Sequence, residues 1–445
     1  MLERTIIADF SKKSGRIKPL CGICLGPRFD TAAPIDFTDE YKALGTPVVR
    51  TSKWDMPEGC CRYLDVSSIF PDPNLDERFP ESYRFGEADA YMTAIKDSGA
   101  DIYLSLGERH DRYAIKPTRP HVSYEKWARI AEKIILHYNR GWGNGYKYSI
   151  KHVEIWPGAD KCGAFADAPE EYYELYRVVA NHLKSVFPSL RIGGYSSGGF
   201  RSQNRYDATA TERTYVSFLE GFLAYISSKN THAPLDFLSW ECRAESAEEL
   251  SLHSNYARNF LIQYGFKRAQ SIVSELKLDL PSGQPRLARD YPAHIAAALI
   301  VAADADIDMM FYSDLHPYSP DNAVLTVDDC LTPHRYGAFG VMSAYGRLYS
   351  CGARVDTTDN YRREVYALAA ASATEGAILI ATGSYSGTLA ITLKGAPYRT
   401  YSISGMLGGG KRGAGYSTTE ENVPLGAGTI RLKVGRGEIY LITVR

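Results

Sequence analysis

Val153-Glu154-Ile155-Trp156-Pro157-Gly158-Ala159-Asp160 is the stretch that decides the fold. Alternation and β-branched residues make its first half a strand, and Pro157-Gly158 stops that strand and turns the backbone. In a chain that alternates strand with helix, the carboxyl end of a strand is where a barrel enzyme keeps its chemistry. A catalytic group is therefore expected at this end. Pro157-Gly158 stands there instead.

Working outward, similar strand-like runs occur at 18–26, 47–52, 101–107, 152–156, 191–195, 235–240, 270–275 and 306–312. Between them lie capped helical patterns with one apolar face, over 123–138, 169–186, 248–264 and 292–303. Eight such units predict a closed parallel (β/α)8 TIM barrel, spanning 17–352. After Gly352 the pattern changes to short alternating strands separated by Gly-rich turns, at 377–382, 387–393, 399–404, 429–434 and 438–444. These predict an antiparallel β-sandwich over 353–445. Residues 1–16 contain one more strand, Thr5 to Ala8, expected to dock on the sandwich because a lone strand needs a partner. The run Gly408-Gly409-Gly410-Lys411 lacks the spacing and strand-to-helix context of a phosphate loop and is expected to be a hairpin loop.

Bulk composition narrows the function. A net charge of −1 gives no electrostatic case for nucleic acid or an anionic membrane. The eight cysteines are too scattered for a disulfide framework. Cys21-Gly22-Ile23-Cys24 has no second CxxC to complete a zinc site, and Cys60-Cys61 reads as a turn with reduced thiols. No metal or organic cofactor is implied. The N-terminus has no signal-peptide pattern, and the apolar run 293–303 is too short to span a bilayer, so a reduced, cytoplasmic protein is expected. Homo-oligomerisation is compatible with such a chain. Tyr reaches 32 residues, a side chain suited to sugars and polar ligands, although most of these pack barrel helices.

The strand ends supply the candidate chemistry. They carry Arg50 to Asp55, Glu108 to Asp111, Trp156 to Asp160, Ser239 to Glu241, Ser274 to Lys277 and Tyr312 to His316. Glu241 and Glu275 fall on neighbouring strands at matching heights, ~4.8 Å apart by strand spacing. Two carboxyl groups so placed repel, one pKa rises, and a mixed ionised and protonated pair is what glycoside hydrolysis uses. The same carboxylates could instead form salt bridges with Arg50, Arg109, Arg243 or Lys277. Trp54, Trp156, Trp240 and Tyr312 offer faces for sugar rings or for barrel packing, with Trp156 and Trp240 the stronger stacking candidates. Arg50, Asp55, Glu108, Asp160 and Asp314 are candidate substrate contacts, and His110 and His316 could bond hydroxyls.

Several runs together resemble glycoside hydrolase family 39, the family of β-xylosidases and α-L-iduronidases. They include Lys18-Pro19-Leu20-Cys21-Gly22, Val49-Arg50-Thr51, Ile69-Phe70-Pro71-Asp72, Leu106-Gly107-Glu108, the run from Ile135 to Gly145, and Asp236-Phe237-Leu238-Ser239-Trp240. The resemblance implies a carbohydrate substrate and a retaining mechanism with two glutamates. Ile272-Val273-Ser274-Glu275 matches the nucleophile pattern Ile-x-x-Glu, which implies Glu275 as nucleophile. The family's Trp-Asn-Glu-Pro run corresponds to Trp156-Pro157-Gly158-Ala159, so the acid/base position holds Gly158. Ser52 and Glu241 stand where the family has His, and Leu276 where an aromatic residue is usual. Three explanations follow. The acid has moved to Glu241, with Asp160 or Glu108 as alternates; the geometry has become inverting; or the chain binds carbohydrate or regulates without hydrolysis. Coordinated polar replacements, including a gained glutamate, favour an altered glycosidase.

Overall fold

The computed structural model describes residues 3–29, 35–51, 64–108, 118–280, 290–313, 324–327, 332–358, 364–406, 417–426 and 428–445. Trp54, Asp55, Ser52, Cys60-Cys61, His110, Asp314, His316 and the Gly408-Gly409-Gly410 loop lie outside the described residues.

Eight parallel strands close into a barrel: Gly22–Cys24, Val48–Arg50, Asp101–Leu106, His152–Ile155, Arg191–Ser197, Phe237–Ala244, Gln270–Leu278 and Met309–Tyr312. All eight coincide with the strands expected from the sequence. Helices also fall where the pattern puts them: Tyr124–Arg140, Pro169–Val186, Ala247–Gln263 and Tyr291–Asp304. The first of these starts at Ser123, whose side chain accepts from the Lys126 N–H, and ends at Gly141 in the left-handed conformation.

Inward and outward positions alternate along the barrel strands. At the floor, Cys24, Val48, Tyr103, Phe237, Ile272, Met309 and Phe311 form a closed apolar plug. Above it the interior turns polar, filled by Arg50, Ser105, Glu154, Ser239 and Ser274. Small hydroxyls there leave room for the charged groups, and they bond to one another: Ser196 Oγ lies 2.7 Å from Ser274 Oγ.

Nine further strands form one curled sheet around a second core that includes Ile6, Val355, Ile378, Ile391 and Ile442, and two short pairs, Arg28–Phe29 with Ile35–Asp36 and Leu325–Val327 with Pro333–Arg335, stand apart from it. Three of its strands escape the sequence reading: Ala353–Thr358, Val365–Ala371 and Ser417–Pro424. Val365–Ala371 is buried at every position. Val365, Ala367 and Ala369 face the sheet's own core, while Tyr366, Leu368 and Ala370 pack on the barrel side. A strand covered on both faces shows no polar alternation, so period alone cannot find it. Glu3–Arg16 lies inside this sheet. It is antiparallel to Ala353–Thr358 and parallel to Gly387–Lys394, so the sheet is not wholly antiparallel. Among the described residues no helix is long and apolar enough to cross a membrane.

Candidate active site

The carboxyl ends of the sixth and seventh strands carry the candidate centre. Their register pairs Glu241 with Glu275, Cys242 with Leu276 and Arg243 with Lys277. A bulge between Val273 and Glu275 makes this pairing: Ser274 and Glu275 together oppose one residue of the neighbouring strand. Ser274 already faces the interior, so strict alternation would turn Glu275 outward. The bulge turns it back in, and Glu275 Oε1 lies 3.5 Å from the Arg50 guanidinium. Lys277 Nζ approaches the other carboxylate oxygen at 3.8 Å. Two cations therefore flank Glu275.

Arg50 is held from below. Its Nε and Nη2 donate to Glu154 Oε2 at 3.0 and 2.8 Å, and Ser105 Oγ donates to the same oxygen at 2.7 Å. Tyr103 OH reaches Glu154 Oε1 at 3.3 Å. Arg50 and Glu154 are both fully buried. Glu154 sits in the stretch Val153–Asp160, where the sequence marks it only as part of a strand. Its signal is a charged residue on the inward parity of an otherwise apolar run.

Glu241 has a different setting. Lys161 Nζ lies 3.0 Å from its Oε2, while its Oε1 is buried with no hydrogen-bond partner among the described residues. Burial pushes its carboxyl up and Lys161 pulls it down. Glu275 pushes it up again and Lys277 pulls down, and the balance rests at about 7. A carboxyl near 7 exchanges protons at neutral pH.

Lys161, which pairs with Glu241, is not among the site residues expected from the sequence. It is held by the turn that ends the fourth strand. Gly158 takes a φ of +74°, and its N–H donates to Tyr195 O at 2.6 Å. Asp160 follows, almost wholly buried, accepting from Gly198 N at 2.8 Å and Ser197 Oγ at 3.2 Å. Burial raises the Asp160 carboxyl to about 6, against the pull of Lys161. Lys161 then turns in, its ammonium 4.3 Å from the centre of the Tyr215 ring. The neighbouring Gly198-Gly199 is the signal that could have pointed here. A Cβ on Gly198 would sit 2.3 Å from the Tyr215 ring, and one on Gly199, at φ +90°, 2.1 Å from Glu241 O.

Other expected residues lie elsewhere. Glu108 is buried at the third strand's end, accepting from Ser67 N at 3.0 Å and Ser67 Oγ at 2.5 Å. Burial first, then Asp65, raises it to about 8. Trp156 and Trp240 do not offer faces to a sugar. Trp156 is fully buried against Trp127 and Phe165. Trp240 is fully buried against Phe200, its Nε1 donating to Ser271 Oγ at 3.0 Å. Trp156 lies one residue past its strand, at the parity of Glu154, and a backbone φ of +57° turns its ring away from the interior. Trp240 occupies an outward position of its strand, where rings pack under the helices. Tyr312 follows the same parity and meets Tyr291 OH at 2.9 Å in the helix layer. Among the described residues no group of three or more His, Cys, Asp or Glu could hold a metal ion.

Residues 73–282 match the profile described as glycosyl hydrolases family 39. The chain is 26% identical over 203 residues to a beta-xylosidase of Caldicellulosiruptor saccharolyticus, covering 42% of this chain and 39% of that one. It is 24% identical over 181 residues to a beta-xylosidase of Geobacillus stearothermophilus, covering 39% of this chain and 34% of that one. The match thus spans about two fifths of the curated relatives' length. The fold superposes on a glucosidase from Croceicoccus marinus with a TM-score of 0.78 at 21% identity, over 100% of this chain and 99% of that one. A GH39 beta-xylosidase from Caulobacter crescentus gives 0.68 at 16% identity, over 99% and 100%.

Proposed function

We propose that the chain, whose residues 73–282 match glycosyl hydrolases family 39, is a member of that family and a retaining glycoside hydrolase with Glu275 as nucleophile and Glu241 as relocated acid/base. The observation that carries this reading is the bulge that sets Glu275 beside Glu241 on adjacent strands, one between two cations and the other near neutrality. Retaining chemistry needs two carboxyl groups ~5 Å apart, one ionised and one protonated. Adjacent strand ends supply that spacing. Gly158 has no side chain to donate a proton, so another carboxyl must supply it, and Glu241 is the one paired with Glu275. The buried thiols Cys21, Cys24, Cys242 and Cys351 accord with a reduced, cytoplasmic setting, which we propose with it.

The test is a panel of aryl glycosides, β-xylosides first because the matched relatives are beta-xylosidases. Glu275→Gln is expected to lower kcat by about 10³-fold or more with the melting temperature held. Product NMR is expected to show retention. Undiminished turnover in Glu275→Gln, or inversion, contradicts the assignment. The Lys161–Glu241 ion pair favours a second reading, sugar binding without hydrolysis, because a carboxylate locked to an ammonium donates no proton. Binding by calorimetry with no turnover on any glycoside would establish that alternative.

A further inference from the structure

Lys161 is a built-in cation rather than a surface lysine. Its side chain is only 4% exposed. Its backbone N–H donates to Gly158 O at 3.0 Å, so it belongs to the turn that replaced the family's acid/base. Asp160 and Tyr215 face its ammonium from the loop and from the helix Ala210–Ser227. Among the described residues, the charged and titratable groups facing Glu241 are Lys161 from that loop, Glu275 and Lys277 from the seventh strand, and Tyr215 from the helix Ala210–Ser227. Gly199 backs directly onto the Glu241 carbonyl, which leaves the sixth strand little freedom to retreat from Lys161.

We propose that Lys161 is the positioning residue of the acid/base, holding Glu241 in place and keeping it ionised through the second half of the reaction. This rests on the assignment of Glu275 and Glu241 made above. In the first half, a Glu275 oxygen forms a bond to the anomeric carbon as the glycosidic C–O bond breaks. The departing oxygen takes the Glu241 proton. In the second half, Glu241 takes a proton from water while the water oxygen bonds to the anomeric carbon. The ester bond breaks, and its electron pair returns to Glu275. Before the first half, the Glu275 charge opposes ionisation of Glu241 and offsets Lys161. Once Glu275 is esterified its charge is gone and that of Lys161 remains. The same carboxyl therefore changes from acid to base, and Lys161 matters chiefly to the step where Glu241 must carry a charge.

The experiment compares Lys161→Met, Lys161→Gln and Lys161→Arg with the parent protein, using the best aryl glycoside from the panel and an activated dinitrophenyl analogue. In Lys161→Met and Lys161→Gln, kcat on the activated substrate is expected to fall by about tenfold or more, with KM falling alongside. A burst of released phenol is expected as the glycosyl-enzyme accumulates. The alkaline limb of kcat/KM is expected to move up by about one pH unit. Lys161→Arg restores most of kcat. Unchanged kcat and an unmoved alkaline limb in either folded variant overturn the proposal. So does a uniform loss of kcat at constant KM without a burst, the mark of a merely structural lysine. If Lys161→Met does not fold, the burst and pH limb of Lys161→Gln decide. Glu241→Gln is measured in parallel. If it behaves as the parent, the acid assignment itself has failed. If it is impaired while the lysine variants are not, only the role of Lys161 has failed.

Discussion

Arg50–Glu154 is a fully buried ion pair and Lys161–Glu241 a partly buried one near the same end of the barrel, and they are built differently. Glu154 accepts from Arg50 twice, from Ser105 and from Tyr103, so both its oxygens are occupied. Glu241 has one ammonium on one oxygen, and its other oxygen has no partner among the described residues. A saturated pair resists change, because every alternative protonation state breaks several bonds. A half-satisfied pair can gain or lose a proton while breaking one. The first arrangement suits a fixed post beneath Glu275, and the second suits a group that must cycle.

The contrast can be broken at its strong end first. Arg50→Met leaves the Glu154 carboxylate buried and uncompensated and is expected to cost about 3–5 kcal/mol, read as a large fall in the denaturant midpoint. A loss under 1 kcal/mol would show that Glu154 is not an anchored anion. Gly199→Ala should come next, at roughly 2–3 kcal/mol with activity lost alongside, because the added methyl meets Glu241 O and the backbone is left-handed. Normal stability in that variant would mean the loop can move away from Glu241.

A pH scan sharpens the same contrast. Glu108, Glu241 and Asp160 have folded values raised to about 8, 7 and 6, above their unfolded values. The folded chain therefore binds more protons than the unfolded chain between about pH 4 and 8, and stability falls as pH rises through that window. Glu108→Gln removes the most strongly raised of the three. It is expected to lift the melting temperature at pH 8 by several degrees and change it little at pH 5. An equal shift at both pH values contradicts this. The smallest effect is expected for Lys161→Met, about 1 kcal/mol or less at neutral pH, because Glu241 can take up a proton when its partner goes.

Much of this was legible in the chain. The barrel strands are apolar runs bounded by clear breaks, and Ile272-Val273-Ser274-Glu275 lies on one of them. What escaped has physical causes. Strand parity points Glu275 the wrong way, and only the bulge, which has no sequence signature here, brings it in. Trp240 stands one step of parity from the site, and Trp156 has the site's parity but a left-handed backbone turns its ring away. Lys161 lies in an irregular turn, where no period says which way a side chain faces. Val365–Ala371 is covered on both sides and rich in Ala, so it lacks the alternation that marks a strand.

In the proposed reaction, Glu241 supplies the proton that Gly158 cannot. The direct measurement is kcat/KM for Glu241→Gln against the parent protein on aryl glycosides whose leaving groups span phenol pKa values from about 4 to about 10. The account predicts near-parent rates for the most acidic phenols and a loss that grows to about 10²-fold or more for the least acidic. A loss independent of the leaving group, or none at all, would contradict it.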